Sequence, residues 1–251
     1  MTQRIELFGI NIDNMNMRQA VTRVCEFVES GAPHQHVVIN VDKVVKLSKD
    51  PELVRIVRSC DMVNADGMPI VWASRLLGTP LQERVAGIDL FLHLVAQAAT
   101  MGWPIYLLGA KTEVLNAVTE HFLEKFPTLI IIGSHDGYWH PDNELALIDT
   151  ICASGAKLLF VAISSPKKEF ILKQIQTRGS IPFAMGVGGS FDVIAGKVKR
   201  APLWMQSYGL EWFFRFLQEP RRMFRRYFID GLWFGGLLFK ELFKQRFKNP
   251  R

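Results

Sequence analysis

The sequence predicts an α/β fold, with a doubly wound, mainly parallel (Rossmann-like) sheet that has helices on both faces, followed by a helical, basic and aromatic appendage. Apolar runs of strand length alternate with segments of helical period through the first 195 residues, an order typical of parallel strands joined by helices. The strand-length runs contain few polar residues, as expected of strands covered on both faces. The balance of charge changes at the same place. Residues 195–251 carry 13 Lys+Arg against 4 Asp+Glu, and residues 1–194 carry 17 Lys+Arg against 20 Asp+Glu. We therefore predict an α/β catalytic domain over 1–195 and a C-terminal helical appendage over 196–251.

Strands and helices are predicted from the period of the apolar residues. The strands are 5–10, 36–40, 61–64, 104–109, 129–133, 157–163 and 182–187. The helices lie near 17–30, 42–59, 67–78, 88–101, 111–125, 142–154 and 167–178. In sheets of this kind ligands bind beyond the carboxyl ends of the strands, so the residues that follow each strand are the candidates for chemistry.

Composition restricts the class of protein. Hydrophobic content of 49% and charged content of 22% are typical of globular proteins. The longest apolar run, 227–239, contains Asp230 and is shorter than the ~20 residues that cross a bilayer. The N-terminus has no long apolar segment of the signal-peptide kind, and three scattered cysteines indicate a reducing compartment. We expect a cytoplasmic protein that is at most peripheral to a membrane.

Polar, glycine and charged residues follow six of the strands, at 40–43, 64–67, 109–111, 134–137, 164–169 and 188–192. Each segment alone is explained by turn and helix-cap preferences. Their convergence on one edge of the sheet favours a site for a polar ligand.

Three features, two in these segments and one before a predicted helix, have alternative interpretations that the sequence leaves open. Asp66 is either a general base at the edge of the sheet or the N-cap of a helix that begins near Met68. The turn GVGGSFD at 186–192 offers backbone N–H groups to a phosphate, but its spacing matches no nucleotide-binding motif, and its glycines could simply serve a tight turn. Arg84 either clamps a diphosphate or is an exposed arginine.

No metal and no cofactor are predicted. The sequence contains no D-x-D pair, and its six histidines are dispersed. If the reaction expels a diphosphate, cationic side chains and backbone dipoles would stabilise it.

The basic–aromatic tail is the more specific signal. Arg215, Arg222 and Arg225 stand at i, i+7 and i+10 and share one helical face, approximately so because Pro220 starts a new helix there. Aromatic residues interleave with them, which favours a membrane interface over nucleic acid. A helix docked on a partner subunit is the third interpretation.

Seven motifs together resemble the WecG/TagA/CpsF family of glycosyltransferases. They are NADGMP, ERVAGIDL, YLLGAK, GSHDGYW, SPKKE, GVGGSFDVIAGKVKRAP and GLEWFFRFLQEPRR. They occur in order over about residues 5–228, and the last two are highly specific to the family.

The resemblance implies an inverting, metal-independent enzyme that transfers a sugar from a UDP-sugar to an undecaprenyl-diphosphate-linked saccharide at the inner face of the bacterial membrane. Asp66 would be the base, Arg84 would match the family's arginine in its RVAG motif, and the tail would dock on membrane and close over the site. A second copy of the chain is a further candidate partner. With the segments after the strands, the predicted substrate-binding residues are Asn40, Asn64, Gly67, Gly109, Lys111, Asp136, Pro166, Lys168, Glu169, Gly186, Gly188, Gly189, Phe191, Asp192, Arg215, Arg222 and Arg225.

Two departures from the family's pattern bear on the substrate. Lys168 stands where members commonly have Gln, and Val38 stands where they often have a hydroxyl residue. A cation at 168 could pair with a phosphate or with an acidic sugar. The alternatives to a transferase are a non-catalytic lipid-binding scaffold and an NAD(P)-dependent sugar-nucleotide oxidoreductase, although no G-x-G-x-x-G turn follows the first strand.

Overall fold

A computed structural model describes residues 3–224 and 228–248, and within them every side chain except those of Ser207, Arg222 and 245–248. Its centre is a six-stranded sheet in the order β4-β3-β8-β7-β5-β6, with every neighbouring pair parallel. This confirms the predicted α/β fold. The strands are β3 (His34–Ile39), β4 (Met62–Ala65), β5 (Ile105–Gly109), β6 (Ile131–His135), β7 (Leu158–Ala162) and β8 (Phe183–Gly186).

The inner strands are buried on both faces, and the edge strand β6 is not. All five residues of β5 and of β7 are buried, whereas β6 alternates between half-buried and exposed positions. The other edge strand, β4, is buried at all four positions, so the elements that cover each strand decide its burial and not the edge position alone.

The first predicted strand, 5–10, is too long, because the strand ends at Leu7 and the chain then turns into a hairpin. β1 (Arg4–Leu7) and β2 (Ile10–Asp13) pair antiparallel, and the two residues between them, Phe8 and Gly9, have φ of 54° and 73°. Two positive φ values are what a tight two-residue hairpin loop requires. The Asp13 carboxylate accepts from Arg4 Nε (2.8 Å) and from the backbone N–H of Val63 (2.7 Å), which fastens the hairpin to β4.

The helix predicted over 42–59 is two helices, α2 (Val41–Leu47) and α3 (Pro51–Arg58). Pro51 starts α3 at a position where its missing N–H is tolerated. Asp50 caps it by accepting from the N–H groups of Glu52 and Leu53, both at 3.0 Å. The other helices of this part are α1 (Met17–Ser30), α4 (Met68–Leu76), α5 (Gly87–Met101), α6 (Thr112–Lys125), α7 (Glu144–Ala153), α8 (Lys167–Arg178) and α9 (Ser190–Ile194).

The C-terminal segment is helical and folds back on the α/β domain. It contains α10 (Leu203–Ser207), α11 (Glu211–Gln218), α12 (Pro220–Phe224) and α13 (Asp230–Lys248). In α13, Phe234 is buried against the hairpin, with its ring centroid 5.2 Å from that of Phe8. Trp233 Nε1 donates to Ser48 Oγ at the end of α2 (3.2 Å). No helix in the described part of the chain is long and apolar enough to span a bilayer.

Candidate active site

A cleft of about 1290 Å³ lies at the carboxyl ends of the strands. Its walls come from the loops that follow the six parallel strands and from α11, α12 and α13 of the C-terminal segment. The predicted site residues that line it are Asn40, Asp66, Gly67, Arg84, Lys111, Lys168, Gly186, Gly188, Gly189, Asp192 and Arg215. The fold therefore brings together residues that are up to 175 positions apart in the chain, as expected of an α/β sheet.

Asp66 lies in the wall of this cleft, directly after β4. Its backbone N–H donates to the carbonyl of Ile39 (2.8 Å), which holds it beside the end of β3. Gly67, with φ of 125°, occupies the N-cap position of α4, so Asp66 lies one residue before the cap. Asp66 Oδ2 lies 3.9 Å from the position that a Cβ on Gly87 would take, so the start of α5 packs close to the carboxylate. An acceptor hydroxyl bound in the cleft could reach this oxygen.

Glu211, the first residue of α11, joins two arginines of the cleft wall. Its Oε2 accepts from Arg84 Nη1 (2.8 Å), and its Oε1 lies 3.7 Å from Arg200 Nε. Arg200 Nη2 in turn donates to Asp89 Oδ2 (2.7 Å), and its Nη1 lies 2.6 Å from Asp89 Oδ1. The network ties the C-terminal segment to Arg84 and to α5.

Arg200 is held in its charged form by this network. Burial opposes the charge, but the hydrogen bond and charge of Asp89, together with the nearby charges of Glu211 and Asp66, raise the pKa of Arg200 above its ordinary value. The proposed base and the arginine network therefore act on one another electrostatically.

The glycine turn after β8 is approached by two cations. The Lys168 side chain crosses Gly186, where a Cβ would lie 3.0 Å from Lys168 Cδ and Cε. Its Nζ lies 3.6 Å from the Cβ position of Gly188, whose φ is +53°. Arg215 Nη2 lies 3.0 Å from the Cβ position of Gly189. Side chains at Gly186 and Gly189 would crowd Lys168 and Arg215, and the positive φ of Gly188 favours glycine.

A buried ion pair lies beneath the turn. Lys43 and Glu169 are 2% and 1% exposed, and Lys43 Nζ donates to Glu169 Oε1 and to Ser165 Oγ (2.8 Å). Burial lowers the pKa of Lys43 to about 8, although the charge of Glu169 opposes the shift. Asn40 accepts from the backbone N–H of Lys43 (3.0 Å) and so caps α2.

The family model of glycosyl transferases of the WecG/TagA/CpsF type matches residues 5–248. The chain belongs to the WecG/TagA/CpsF glycosyltransferase family. It is therefore an enzyme, and the scaffold and oxidoreductase alternatives are set aside. Membership implies a sugar-nucleotide donor and a lipid-linked acceptor.

Three predicted substrate-binding residues of this glycosyltransferase are buried and do not line the cleft. Phe191 packs in the core with its ring centroid 5.8 Å from that of Phe91. Glu169 forms the buried ion pair with Lys43. Asn64 Oδ1 accepts from His36 Nε2 (3.0 Å), and burial lowers the pKa of His36 to about 4, so that the imidazole is neutral.

Three further predicted residues lie beside the cleft and not in its lining: Gly109, Asp136 and Pro166. Gly109 packs so closely on β7 that a Cβ would lie 2.5 Å from the carbonyl oxygen of Ala162. Asp136 accepts from Thr112 Oγ1 (2.7 Å), which joins the loop after β6 to the start of α6. The binding roles of these residues stay predictions.

The tail arginines are only partly described. Arg215 lines the cleft, as stated above. The side chain of Arg222 and the whole of Arg225 lie outside the described residues.

The charged groups of the glycosyltransferase cleft form ion pairs. Within residues 3–224 and 228–248, no three His, Cys, Asp or Glu side chains come together as a group that could hold a metal ion. The cations nearest the glycine turn and the proposed base are Arg84, Lys168, Arg200 and Arg215. These are the side chains that could meet a diphosphate.

Sequence reasoning missed Lys43, Arg200 and Glu211 as site residues. Lys43 is in one of the polar segments after a strand, but nothing in the sequence shows that it is buried. Arg200 and Glu211 stand in KVKRAP and GLEW, two of the most specific motifs. Membership in those motifs was the available signal that the two residues belong to the site. Their partners could not be read from the sequence, because the partners lie far away in the chain.

Proposed function

We propose that the chain is an inverting, metal-independent transferase that moves a sugar from a UDP-sugar to an undecaprenyl-diphosphate-linked saccharide. The sugar is N-acetylmannosamine, its uronic acid or glucose, and the product enters a bacterial cell-surface polysaccharide. The observation that carries the proposal is one cleft that holds a carboxylate, Asp66, together with the cations Arg84, Lys168 and Arg215.

The reaction is a single displacement at the anomeric carbon. Asp66 takes the proton of the acceptor hydroxyl as its oxygen forms a bond to that carbon. The bond from the same carbon to the UDP oxygen breaks on the opposite side, and UDP leaves with the electron pair. One bond forms as one breaks, so the configuration at the anomeric carbon inverts.

The departing diphosphate gains negative charge as that bond breaks. Arg84 is oriented by Glu211 before the reaction begins, and Arg215 lies beside Gly189, whose backbone N–H is a further donor at the turn. Donors that are already oriented stabilise a transition state without reorganisation, each by about 3–4 kcal/mol in favourable cases. This set of cations takes the part that a divalent metal takes in other transferases.

An exposed apolar surface supports peripheral docking on the cytoplasmic face of the membrane. Gly209 packs on α4, with its Cβ position 2.7 Å from Met68 Cγ, and so joins the exposed apolar residues of α4 to those of α10 and α11. This surface, the apolar patch, consists of Trp72, Leu76, Leu203, Trp204, Tyr208, Trp212, Phe213 and Leu217. The same segment exposes the cations Lys197, Lys199 and Arg221. Apolar and basic groups together bind anionic membrane interfaces.

The test of the base is Asp66→Asn, which keeps the shape of the side chain and removes its basicity. We expect release of UDP from a UDP-sugar, in the presence of a short-chain lipid-diphosphate acceptor, to fall by at least ~100-fold. Asp149→Asn is the matched control, since Asp149 is an exposed acid of α7 that pairs with Arg178 (2.8 Å). A folded Asp66→Asn protein that transfers at the wild-type rate would refute the assignment.

A further inference from the structure

A buried lysine, Lys43, and a partly buried lysine, Lys168, share one carboxylate at the inner end of the cleft. Lys43 Nζ contacts Glu169 Oε1 directly, and Lys168 Nζ lies 3.7 Å from the same oxygen. The side chains of Lys43, Glu169 and Lys168 are 3%, 1% and 12% exposed. The next cation, Lys46, has its own partner in Asp42 (2.9 Å). The cluster of Lys43, Glu169 and Lys168 therefore carries a net charge of +1 while all three groups are charged.

The excess charge falls on Lys168. A distance of 3.7 Å is longer than a hydrogen bond, whereas Lys43 is held by Glu169 and by Ser165. An incompletely neutralised charge that is largely removed from water is costly unless another group neutralises it.

The Lys168 side chain is directed into the cleft, whereas the Glu169 side chain is not. Lys168 lines the cleft and Glu169 lies behind it. The side chain passes over Gly186 and brings Nζ to 3.6 Å from the Cβ position of Gly188. Arg215 faces the adjacent Gly189. An anion seated on this turn would meet the amine, the guanidinium and the backbone N–H of Gly189 together.

We propose that Lys168 is an anion-binding residue and that its ligand is an oxyanion of the donor. That oxyanion is either a phosphate of the diphosphate or a carboxylate on the transferred sugar. The inference rests on the proposed function and adds to it, since a carboxylate ligand would make the donor a UDP-hexuronate.

The experiment measures binding and not turnover. Titration calorimetry compares UDP, UDP-N-acetylmannosamine and UDP-N-acetylmannosaminuronate on the full chain, with the wild type, Lys168→Met and Lys168→Gln. Lys173→Gln is the control, because Lys173 is a lysine of the same helix that bonds Gln176 Oε1 (3.0 Å). Each variant is first checked for an unchanged unfolding temperature, which is expected because Glu169 keeps its contact with Lys43.

The pattern of losses identifies the ligand. A phosphate ligand predicts that Lys168→Met binds all three nucleotides about tenfold or more weakly, the loss expected when a charge-assisted hydrogen bond is removed. A carboxylate ligand predicts the same loss for the uronate alone. Lys168→Gln should recover part of the loss in either case, since the amide can still donate.

Two other outcomes would overturn the inference. If the wild type binds all three nucleotides and Lys168→Met binds them within twofold of it, Lys168 is not an anion-binding residue and the proposed function still stands. If the wild type binds none of the three, the assignment of a UDP-sugar donor fails, and this inference fails with it.

Discussion

Glu211→Gln tests whether charge holds the C-terminal segment against the cleft. The substitution keeps the shape of the side chain and removes the charge that Arg84 meets at 2.8 Å and Arg200 at 3.7 Å. The two side chains of the shorter pair are partly buried, with Glu211 30% and Arg84 15% exposed. A hydrogen bond to a charged group contributes ~1.5–3 kcal/mol, and solvent screening reduces this to about 1–2 kcal/mol here. We therefore expect the undocked form of the α10–α11 segment to become about 5–30 times more populated.

Hydrogen exchange of backbone amides measures this population. Leu210, Phe213 and Phe214 donate to carbonyls within the segment, at 2.7, 3.0 and 3.1 Å, and their exchange should accelerate by the same factor. Glu241→Gln is the control, because Glu241 forms an exposed pair with Lys244 on α13 (2.9 Å) and should leave these amides unchanged. High salt should move the wild type towards the variant. Exchange rates in Glu211→Gln equal to those of the wild type would refute this account of docking.

Two further predictions concern the membrane and pH. Leu203→Ser combined with Trp204→Ser should reduce co-flotation with anionic vesicles by about tenfold or more. Leu145→Ser, at an exposed apolar residue of α7, should not reduce it. Unchanged flotation of the double variant would contradict docking through the apolar patch. The pKa of Lys43 is about 8 in the folded chain and 10.5 in the unfolded chain. Between these two pH values Lys43 binds more protons in the unfolded chain than in the folded one. Its contribution to the free energy of unfolding therefore rises with pH. Chemical denaturation at pH 8–10 should therefore show a shallower rise for Lys43→Met than for the wild type, and parallel curves would contradict it.

Local features of the chain were sufficient to predict the sheet and the edge at which the cleft lies. Each predicted strand of the main sheet overlaps an observed one, because an apolar run of strand length must be covered on both faces wherever it lies. Two errors were also local. The double positive φ at Phe8 and Gly9 and the break before Pro51 depend on turn and capping chemistry, which periodicity alone does not register.

The sequence by itself also determined which family the chain resembles, that Asp66 follows a strand, and that Arg84 precedes a helix in the next motif. Whether Asp66 caps a helix was open from the sequence, because its spacing from the predicted helix fits both an N-cap and a base. The tertiary structure put Gly67 at the cap position and Asp66 in the cleft wall.

Only the tertiary structure decided how the charges pair. Glu211 meets Arg84 across 127 positions of the chain, and Lys43 meets Glu169 across 126. Burial is equally non-local, since Phe191 stands in a glycine-rich motif and yet lies fully in the core. The spacing of apolar residues in the sequence shows which side of a helix or strand faces the core. An ion pair or a buried lysine depends instead on which distant elements the fold brings together.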